Sequence, residues 1–263
     1  MNSPLPASQR QRLDEVLVGR GLFASRSRAR DAIERGTVTV DGAVARKPGQ
    51  SVAQDCLIAI DDPAQAYVSR AALKLIAGLD HFHLDPSGHE ALDIGASTGG
   101  FTQVLLERGA AHVTAIDVGH GQIHADIAGD PRVTVIEGLN ARDLTAGDLG
   151  GRVPDFLVCD VSFISLKLAL PPALHLAGSG ARALLLVKPQ FEAGREAIGK
   201  GGLLKDHADA ERIALSLRDW LAGVPGWRVL GLIPSPIEGG DGNREFLLAA
   251  IKDAVSPKDM VSP

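Results

Sequence analysis

The sequence predicts an α/β chain: a mostly parallel sheet covered on both faces by helices, preceded by a small α+β unit. Three observations carry that expectation. From residue 90 onward, short apolar runs alternate with stretches of helical periodicity, as strands do when helices cross over between them. The first apolar run stops in a glycine-rich turn that opens a helix. Charge is also unevenly divided: nine basic and five acidic residues give the first fifty positions a net of +4, so the other 213 carry −9 of the total of −5. A basic piece joined to an acidic body is the footprint of a polyanion-binding module attached to an enzyme.

Length and composition set the outer bounds. A chain of 263 residues with 45% hydrophobic residues can hold one large domain and a small one. No run reaches the roughly 18 to 20 apolar residues of a membrane helix, and MNSPLPASQRQR has no apolar signal core, so a soluble cytoplasmic protein without a membrane partner is expected. Cys56 and Cys159 are far apart in strand-like runs and read as buried free thiols.

In chain order, residues 1–10 are polar and expected to be disordered. Leu13, Val16 and Leu17 share one face of a short helix ended by Gly19 and Gly21. Ser25 is placed to cap a second helix carrying Arg26, Arg28 and Arg30 beside Ala29, Ala32 and Ile33. Arginines flanking a short helix can grip successive phosphates bidentately. With Arg12, Arg20, Arg35 and Lys47 they form the candidate RNA-binding set, extended by Arg70 and Lys200 further on. Asp41-Gly42 after the strand TVTV is a hairpin signal. The segment running from RLD through SRSRARDAIERG to VTVDG resembles the small RNA-binding fold named after ribosomal protein S4, over roughly residues 12 to 60. The expected boundaries are 1–62 for this unit, 63–66 for a linker, 67–253 for the large domain and 254–263 for a tail.

YVSRAALKLIAGLDHF is helical in pattern, with Ala71, Leu75 and Leu79 on one side and Arg70 and Lys74 four apart. Residues 91–117 then read as strand, glycine-rich turn, helix and second strand. Gly95, Gly99 and Gly100 would let a ligand approach the backbone, and Phe101 starts the helix. A strict dinucleotide fingerprint needs glycine where Ser97 stands, so a pyrophosphate fits poorly and a nucleoside ligand better. Asp117 lies 22 residues past Gly95, near the roughly 20-residue interval at which an acid holds ribose hydroxyls. Asp93 sits before the turn, where a carboxylate could hold the loop or meet a cationic ligand. Together these features point to S-adenosylmethionine.

His120 and His124 have the i, i+4 spacing of a helical metal pair, but no third ligand follows, and a solvent-facing pair without metal is the reading adopted. A third strand, RVTVIE, leads into a loop whose Asn140 could hydrogen-bond an adenine edge. PDFLVCD gives a fourth strand ending at Asp160 and followed by a helix over about 165–176. ARALLLV gives a fifth ending at Lys188, where Pro189 breaks pairing. Residues 192–205 are glycine-rich and carry Lys200, like a mobile substrate-facing loop. A helix over 207–221 and two final strands complete the chain, with Glu245 at the start of the last.

Lys74 in SRAALK, Asp160 in CDVSF, Lys188 in VKPQFE and Glu245 in NREF resemble the Lys-Asp-Lys-Glu tetrad of FtsJ-like ribose 2'-O-methyltransferases. With the basic unit in front, nearly the whole chain resembles the TlyA family, also labelled haemolysin A. The resemblance implies a Rossmann-like seven-stranded sheet, S-adenosylmethionine as cofactor, and 2'-O-methylation of cytidine in ribosomal RNA, with ribosomal RNA or ribosomal subunits as partners. A ribose hydroxyl is a weak acid and needs deprotonation as it attacks the methyl carbon. Lys188 is therefore expected as base or hydroxyl-orienting group, Lys74 as neighbouring cation, and Asp160 and Glu245 as the carboxylates that position them.

Three other readings stay open. A non-catalytic RNA-binding protein would account for the basic unit and leave the tetrad without a role. A pore-forming haemolysin rests on the older label alone. A base-directed methyltransferase would usually show an Asn-Pro-Pro-Tyr-like or cysteine signature where Asp160-Val161-Ser162-Phe163 stands.

Overall fold

A computed structural model of the chain describes residues 10–206, 208–240 and 242–254, without the side chain of Arg195. The disorder expected for 1–10 and the tail expected at 254–263 lie outside these residues except at Arg10 and Ala254. Arg10 is not disordered: it opens the first strand. The chain divides into two compact units, residues 1–65 and 66–263.

The first unit contains β1 (Arg10–Arg12), α1 (Leu13–Gly19), α2 (Arg26–Glu34), β2 (Val38–Val40), β3 (Ala43–Val44), β4 (Ser51–Ala53) and β5 (Ile58–Ile60). β1 pairs with β4, and β2 lies between β3 and β5, all antiparallel. Ser25 caps α2 by accepting from the Arg28 backbone N–H. Asp41 and Gly42 both have positive φ, 49° and 82°, as the tight β2–β3 hairpin turn requires. Leu13, Leu17, Ala29, Ala32, Ile33 and Val38 are fully buried and form its core. Residues 63–66, expected as a short linker, form a 3-10 turn, which Asp62 starts by accepting from the Ala64 N–H.

The second unit runs α3 (Ala72–Phe82), β6 (Glu90–Ile94), α4 (Gly100–Glu107), β7 (His112–Asp117), α5 (Ala125–Ala128), β8 (Val133–Glu137), β9 (Phe156–Cys159), α6 (Leu166–Ala169), α7 (Pro171–Leu176), β10 (Arg182–Val187), α8 (Pro189–Glu192), α9 (Ala208–Ala222), β11 (Trp227–Pro234) and β12 (Phe246–Lys252). Its seven strands follow the order β11-β12-β10-β9-β6-β7-β8. β12 is antiparallel to both neighbours, and the other pairings are parallel. The period-two alternation along each strand feeds two cores. Leu92, Ile94, Leu157, Leu185 and Leu248 pack with α6, α7 and α9, while Ala91, Phe156, Val158, Leu184 and Leu186 pack with α3 and α4. Gly78 lets α3 settle onto β10, since a Cβ there would come within 2.6 Å of Leu184.

Several local expectations change. α3 starts at Ala72, so Arg70 precedes it and is not a helical neighbour of Lys74. Gln103 of α4 holds the backbone just upstream, accepting from Val68 N–H and donating to Ala66 O, each at 2.9 Å. Residues 120–124 are not helical, because the Glu137 carboxylate accepts from the N–H groups of Gly121 and Gln122 at 2.7 and 3.0 Å. His124 caps α5 from outside, and the two histidines share no helix face. The single helix expected over 165–176 is split into α6 and α7, since Pro171 has no N–H to continue the first. Pro189 both ends β10 and opens α8 at its first turn.

Candidate active site at the carboxyl ends of the strands

β6 is central, and the chain leaves it first toward β7 and β8, then returns on its other side as β9 and β10. That reversal is the switch point at which doubly wound sheets bind ligands. Gly95, just past β6, has φ +83°, and a Cβ on it would lie 3.0 Å from the Asp160 backbone. Only glycine lets the ends of β6 and β9 converge this closely.

A cavity of about 790 Å³ opens at this point, within the range of roughly 300–1,000 Å³ common for small-molecule sites. Gly95, Ser97, Asp117, Asn140 and Asp160 line it, with an apolar wall that includes Ile116, Leu139, Val161 and Phe163. Asp117 projects from the end of β7. One of its oxygens accepts from Ser97 N–H at 2.8 Å and the other from Gly119 N–H at 2.7 Å. A carboxylate offers about four acceptor directions, so both oxygens can still take a ligand hydroxyl. Asn140 accepts from Arg142 N–H through its oxygen at 3.1 Å, leaving its amide NH₂ to donate.

The other four residues expected at the cofactor do not line this cavity. Asp93 is fully buried beneath the turn, where its carboxylate accepts from the Thr102 hydroxyl at 2.7 Å. It holds the loop from below, and burial pushes its pKa up to about 7, with Asp160 and Asp117 adding to the rise. The space a Cβ would take at Gly99 is filled by Ile127 and Ile123, and at Gly100 by Ser69. Those glycines admit protein atoms. Phe101 is a core residue of α4.

Two lysine–carboxylate pairs stand beside the cavity. Lys188 Nζ, just past β10, is 2.6 Å from Asp160 Oδ1, just past β9, and donates to Ser162 Oγ at 2.8 Å. Lys74 of α3 donates to Glu245, the residue before β12, and both are buried. Burial raises the Glu245 pKa. The Lys74 ammonium pulls it back, Lys188 does so more weakly, and Asp160 adds to the rise. All four charged groups therefore share one electrostatic neighbourhood. Of the four, only Asp160 lines the cavity.

Residues not singled out from the sequence complete the surroundings. Buried Asn243 ties the 200–204 turn to the approach to β12, donating to Gly202 O at 3.0 Å and accepting from Leu204 N–H at 3.1 Å. Lys200, expected from the sequence as an RNA contact, is exposed on that turn. Glu192 accepts from the Ser165 hydroxyl at 2.5 Å and from Leu166 N–H at 2.7 Å. Phe163 is 91% exposed, has φ +65°, and its ring centroid lies 5.0 Å from that of Phe191. The run DVSF carried the available signal, because residues that follow a buried parallel strand reach the ligand end of the sheet.

The basic residues of the first unit divide into two groups. Asp14 is fully buried. Burial alone would raise its pKa, but hydrogen bonds from Arg12 and Arg26 outweigh that and hold it below the ordinary value. Arg35 forms a two-pronged pair with Asp62 at 2.7 and 2.9 Å and also reaches Asp31. Arg20 donates to the carbonyls of Cys56 and Gln54, and Arg28 to that of Ala64. Arg30 and Lys47 are exposed and form no ion pair among the described residues. Arg46, absent from the expected set, behaves the same way. In the second unit, Arg70 donates to the Glu238 carbonyl at 3.4 Å.

Comparison with known proteins agrees with this architecture. Residues 67–252 match the FtsJ-like methyltransferase family and residues 11–55 match the S4 domain. A Mycobacterium tuberculosis protein named 16S/23S rRNA (cytidine-2'-O)-methyltransferase TlyA is 45% identical over 242 residues, covering 92% of this chain and 90% of its own. Hemolysin A of Brachyspira hyodysenteriae is 36% identical over 90% of this chain and 98% of its own. A solved Streptococcus thermophilus structure that carries the hemolysin name superposes with a TM-score of 0.72 at 38% identity, covering 94% of this chain and 90% of its own. No helix among the described residues is long and apolar enough to cross a membrane.

Proposed function

Because this chain belongs to the FtsJ-like methyltransferase family, we propose that it methylates the 2'-hydroxyl of a cytidine ribose in ribosomal RNA, using S-adenosylmethionine. The observation that carries this reading is the meeting of two lysine–carboxylate pairs, Lys188–Asp160 and Lys74–Glu245, at the strand ends beside a nucleoside-sized cavity. The cytidine and the ribosomal RNA come from the names of relatives matched over nine-tenths of their length.

The donor set suits this cofactor. Asp117 keeps acceptor directions for the two ribose hydroxyls, and the Asn140 amide can donate to an adenine nitrogen. Ile116, Leu139 and Val161 offer apolar surface to the base. No phosphate has to be cradled, in keeping with Ser97 where a dinucleotide site would need glycine. When bound, S-adenosylmethionine supplies a methyl group on a sulfonium sulfur, which keeps the carbon–sulfur electron pair as the methyl leaves.

As a free amine, after giving one ammonium proton to solvent, Lys188 Nζ would hold the acceptor hydroxyl and take up its proton. Asp160 fixes the direction of the lysine from the cavity side. Lys74 lends positive charge where the alkoxide develops, and Glu245 keeps that buried ammonium in place. Much of the acceleration comes from alignment, since the donor is already activated. On the first unit, Arg30 and Lys47 offer free charge to RNA phosphates, while Arg12, Arg20, Arg26, Arg28 and Arg35 shape the surface around them. Arg70 and Lys200 are the candidate contacts on the catalytic unit.

The test is to incubate the purified protein with methyl-labelled S-adenosylmethionine and each isolated ribosomal subunit, then map the label. Label on a cytidine 2'-oxygen is expected. Label on a base, or none on either subunit, would overturn the reading.

A further inference from the structure

We propose that Ser162 is a positioning residue for Lys188, an addition to the four charged groups; this rests on the reading of Lys188 as the group that takes the ribose hydroxyl proton. The amine nitrogen of Lys188 has Asp160 Oδ1 at 2.6 Å and Ser162 Oγ at 2.8 Å. A neutral amine has two N–H bonds and one lone pair. One N–H bond is directed to Ser162, and the Asp160 charge beside the nitrogen favours the second N–H over the lone pair on its own side, so the lone pair faces the remaining direction, where the acceptor hydroxyl must arrive. With Asp160 alone as partner, the amine could turn about its terminal carbon–nitrogen bond and spread the lone pair over several directions. Ser162 removes that freedom.

The position of Ser162 is itself fixed. Asp160 N–H donates to Ile94 O at 2.9 Å, anchoring the loop where it leaves β9. At the other end, Glu192 accepts from both Ser165 Oγ and Leu166 N–H. Between these anchors, the exposed Phe163 ring has its centroid 5.0 Å from that of Phe191. Lys188, Phe191 and Glu192 all belong to the turn after β10, so the segment that positions the lysine is clamped to the segment that carries it. Ser162 also lines the cavity and is exposed, so removing its hydroxyl leaves no hole in the core.

The experiment compares full-length wild type with Ser162→Ala, Ser162→Thr and Lys188→Ala, measuring kcat and both KM values with S-adenosylmethionine and ribosomal subunits. Ser162→Ala is expected to lower kcat about ten- to a hundred-fold, the scale on which small misplacements act, with both KM values within about two-fold. Ser162→Thr keeps the hydroxyl and is expected to retain kcat within about three-fold of wild type. A wild-type kcat in Ser162→Ala, a loss confined to KM, or a threonine variant as impaired as alanine overturns the proposal. Lys188→Ala separates the two claims. If it is inactive while Ser162→Ala is normal, only the serine role fails; if it still transfers methyl groups, the underlying reading of Lys188 fails.

Discussion

Lys188 Nζ and Asp160 Oδ1 lie 2.6 Å apart at the carboxyl ends of two adjacent parallel strands. The pairing of β9 with β10 sets that separation, with Cys159 opposite Leu185, so it does not depend on a flexible loop. Lys188→Ala is expected to lower kcat by about a thousand-fold or more, since it removes both proton acceptor and orienting group. Cofactor affinity should stay within about two-fold, because Lys188 does not line the cavity. Asp160→Ala should lose activity equally but also weaken cofactor binding, because Asp160 does line it. Single-turnover assays with parallel calorimetry give both quantities. Equal cofactor affinity in the two variants would contradict this division.

Lys74 and Glu245 are a buried pair, with side chains 6% and 3% exposed. Glu245→Ala leaves a buried ammonium without its partner and is expected to cost about 3–5 kcal/mol of stability as well as activity. The double variant Lys74→Met with Glu245→Leu removes both charges and should recover much of that stability while remaining inactive. Urea denaturation of the three proteins provides the check. A Glu245→Ala protein as stable as wild type would mean that the pair is not buried in solution.

Asp93 links pH to stability. Its pKa in the folded protein is raised to about 7 from 3.8, so the fold favours the protonated carboxyl. Its contribution is full below the unfolded value and is lost as pH climbs through the folded one, between about 4 and 7, by up to roughly 4 kcal/mol. Asp93→Asn keeps an acceptor for Thr102 and cannot ionise. It should therefore lose less stability than wild type between pH 5 and pH 8. Parallel pH dependences of the urea midpoints would show that Asp93 ionises normally.

The frame of this protein was legible in the sequence because each of its signals is local. The apolar runs at 91–94, 156–159 and 182–187 became parallel strands, and Ser25 became a helix cap. Lys74, Asp160, Lys188 and Glu245 were found through a family resemblance, and the structure brings them together from four distant parts of the chain. What stayed hidden were partnerships. Gly99 and Gly100 looked like room for a ligand, but Ile127 and Ser69 fill that room, and no sequence spacing links 99 to 127 or 100 to 69. The arginine cluster looked uniformly available, yet Asp14 and Asp62 engage three of its members through contacts that only folding creates. His120 and His124 matched a helical period that Glu137, sixteen residues past Gly121, prevents by taking the backbone N–H groups.

That division among the arginines yields the final prediction. Arg30, Arg46 and Lys47 are exposed and unpaired among the described residues, whereas Arg35 is 15% exposed and bound to Asp62, whose own side chain is 2% exposed. Burial works to raise the Asp62 pKa, but the Arg35 hydrogen bonds outweigh it and hold the carboxylate charged. Replacing Arg30 or Lys47 with alanine should weaken RNA binding and reduce the steepness of its salt dependence by about one contact each, without changing stability. Arg35→Ala takes the two-pronged partner from a buried carboxylate and should cost about 3 kcal/mol, so its effect on RNA should come through loss of structure. Measuring affinity between 50 and 200 mM salt, alongside urea denaturation, separates the two kinds of arginine. If Arg35→Ala keeps full stability and loses one phosphate contact, Arg35 faces RNA and its pairing with Asp62 is incidental. If Arg30→Ala leaves the salt slope unchanged, that face of the S4 domain does not meet the backbone of the RNA.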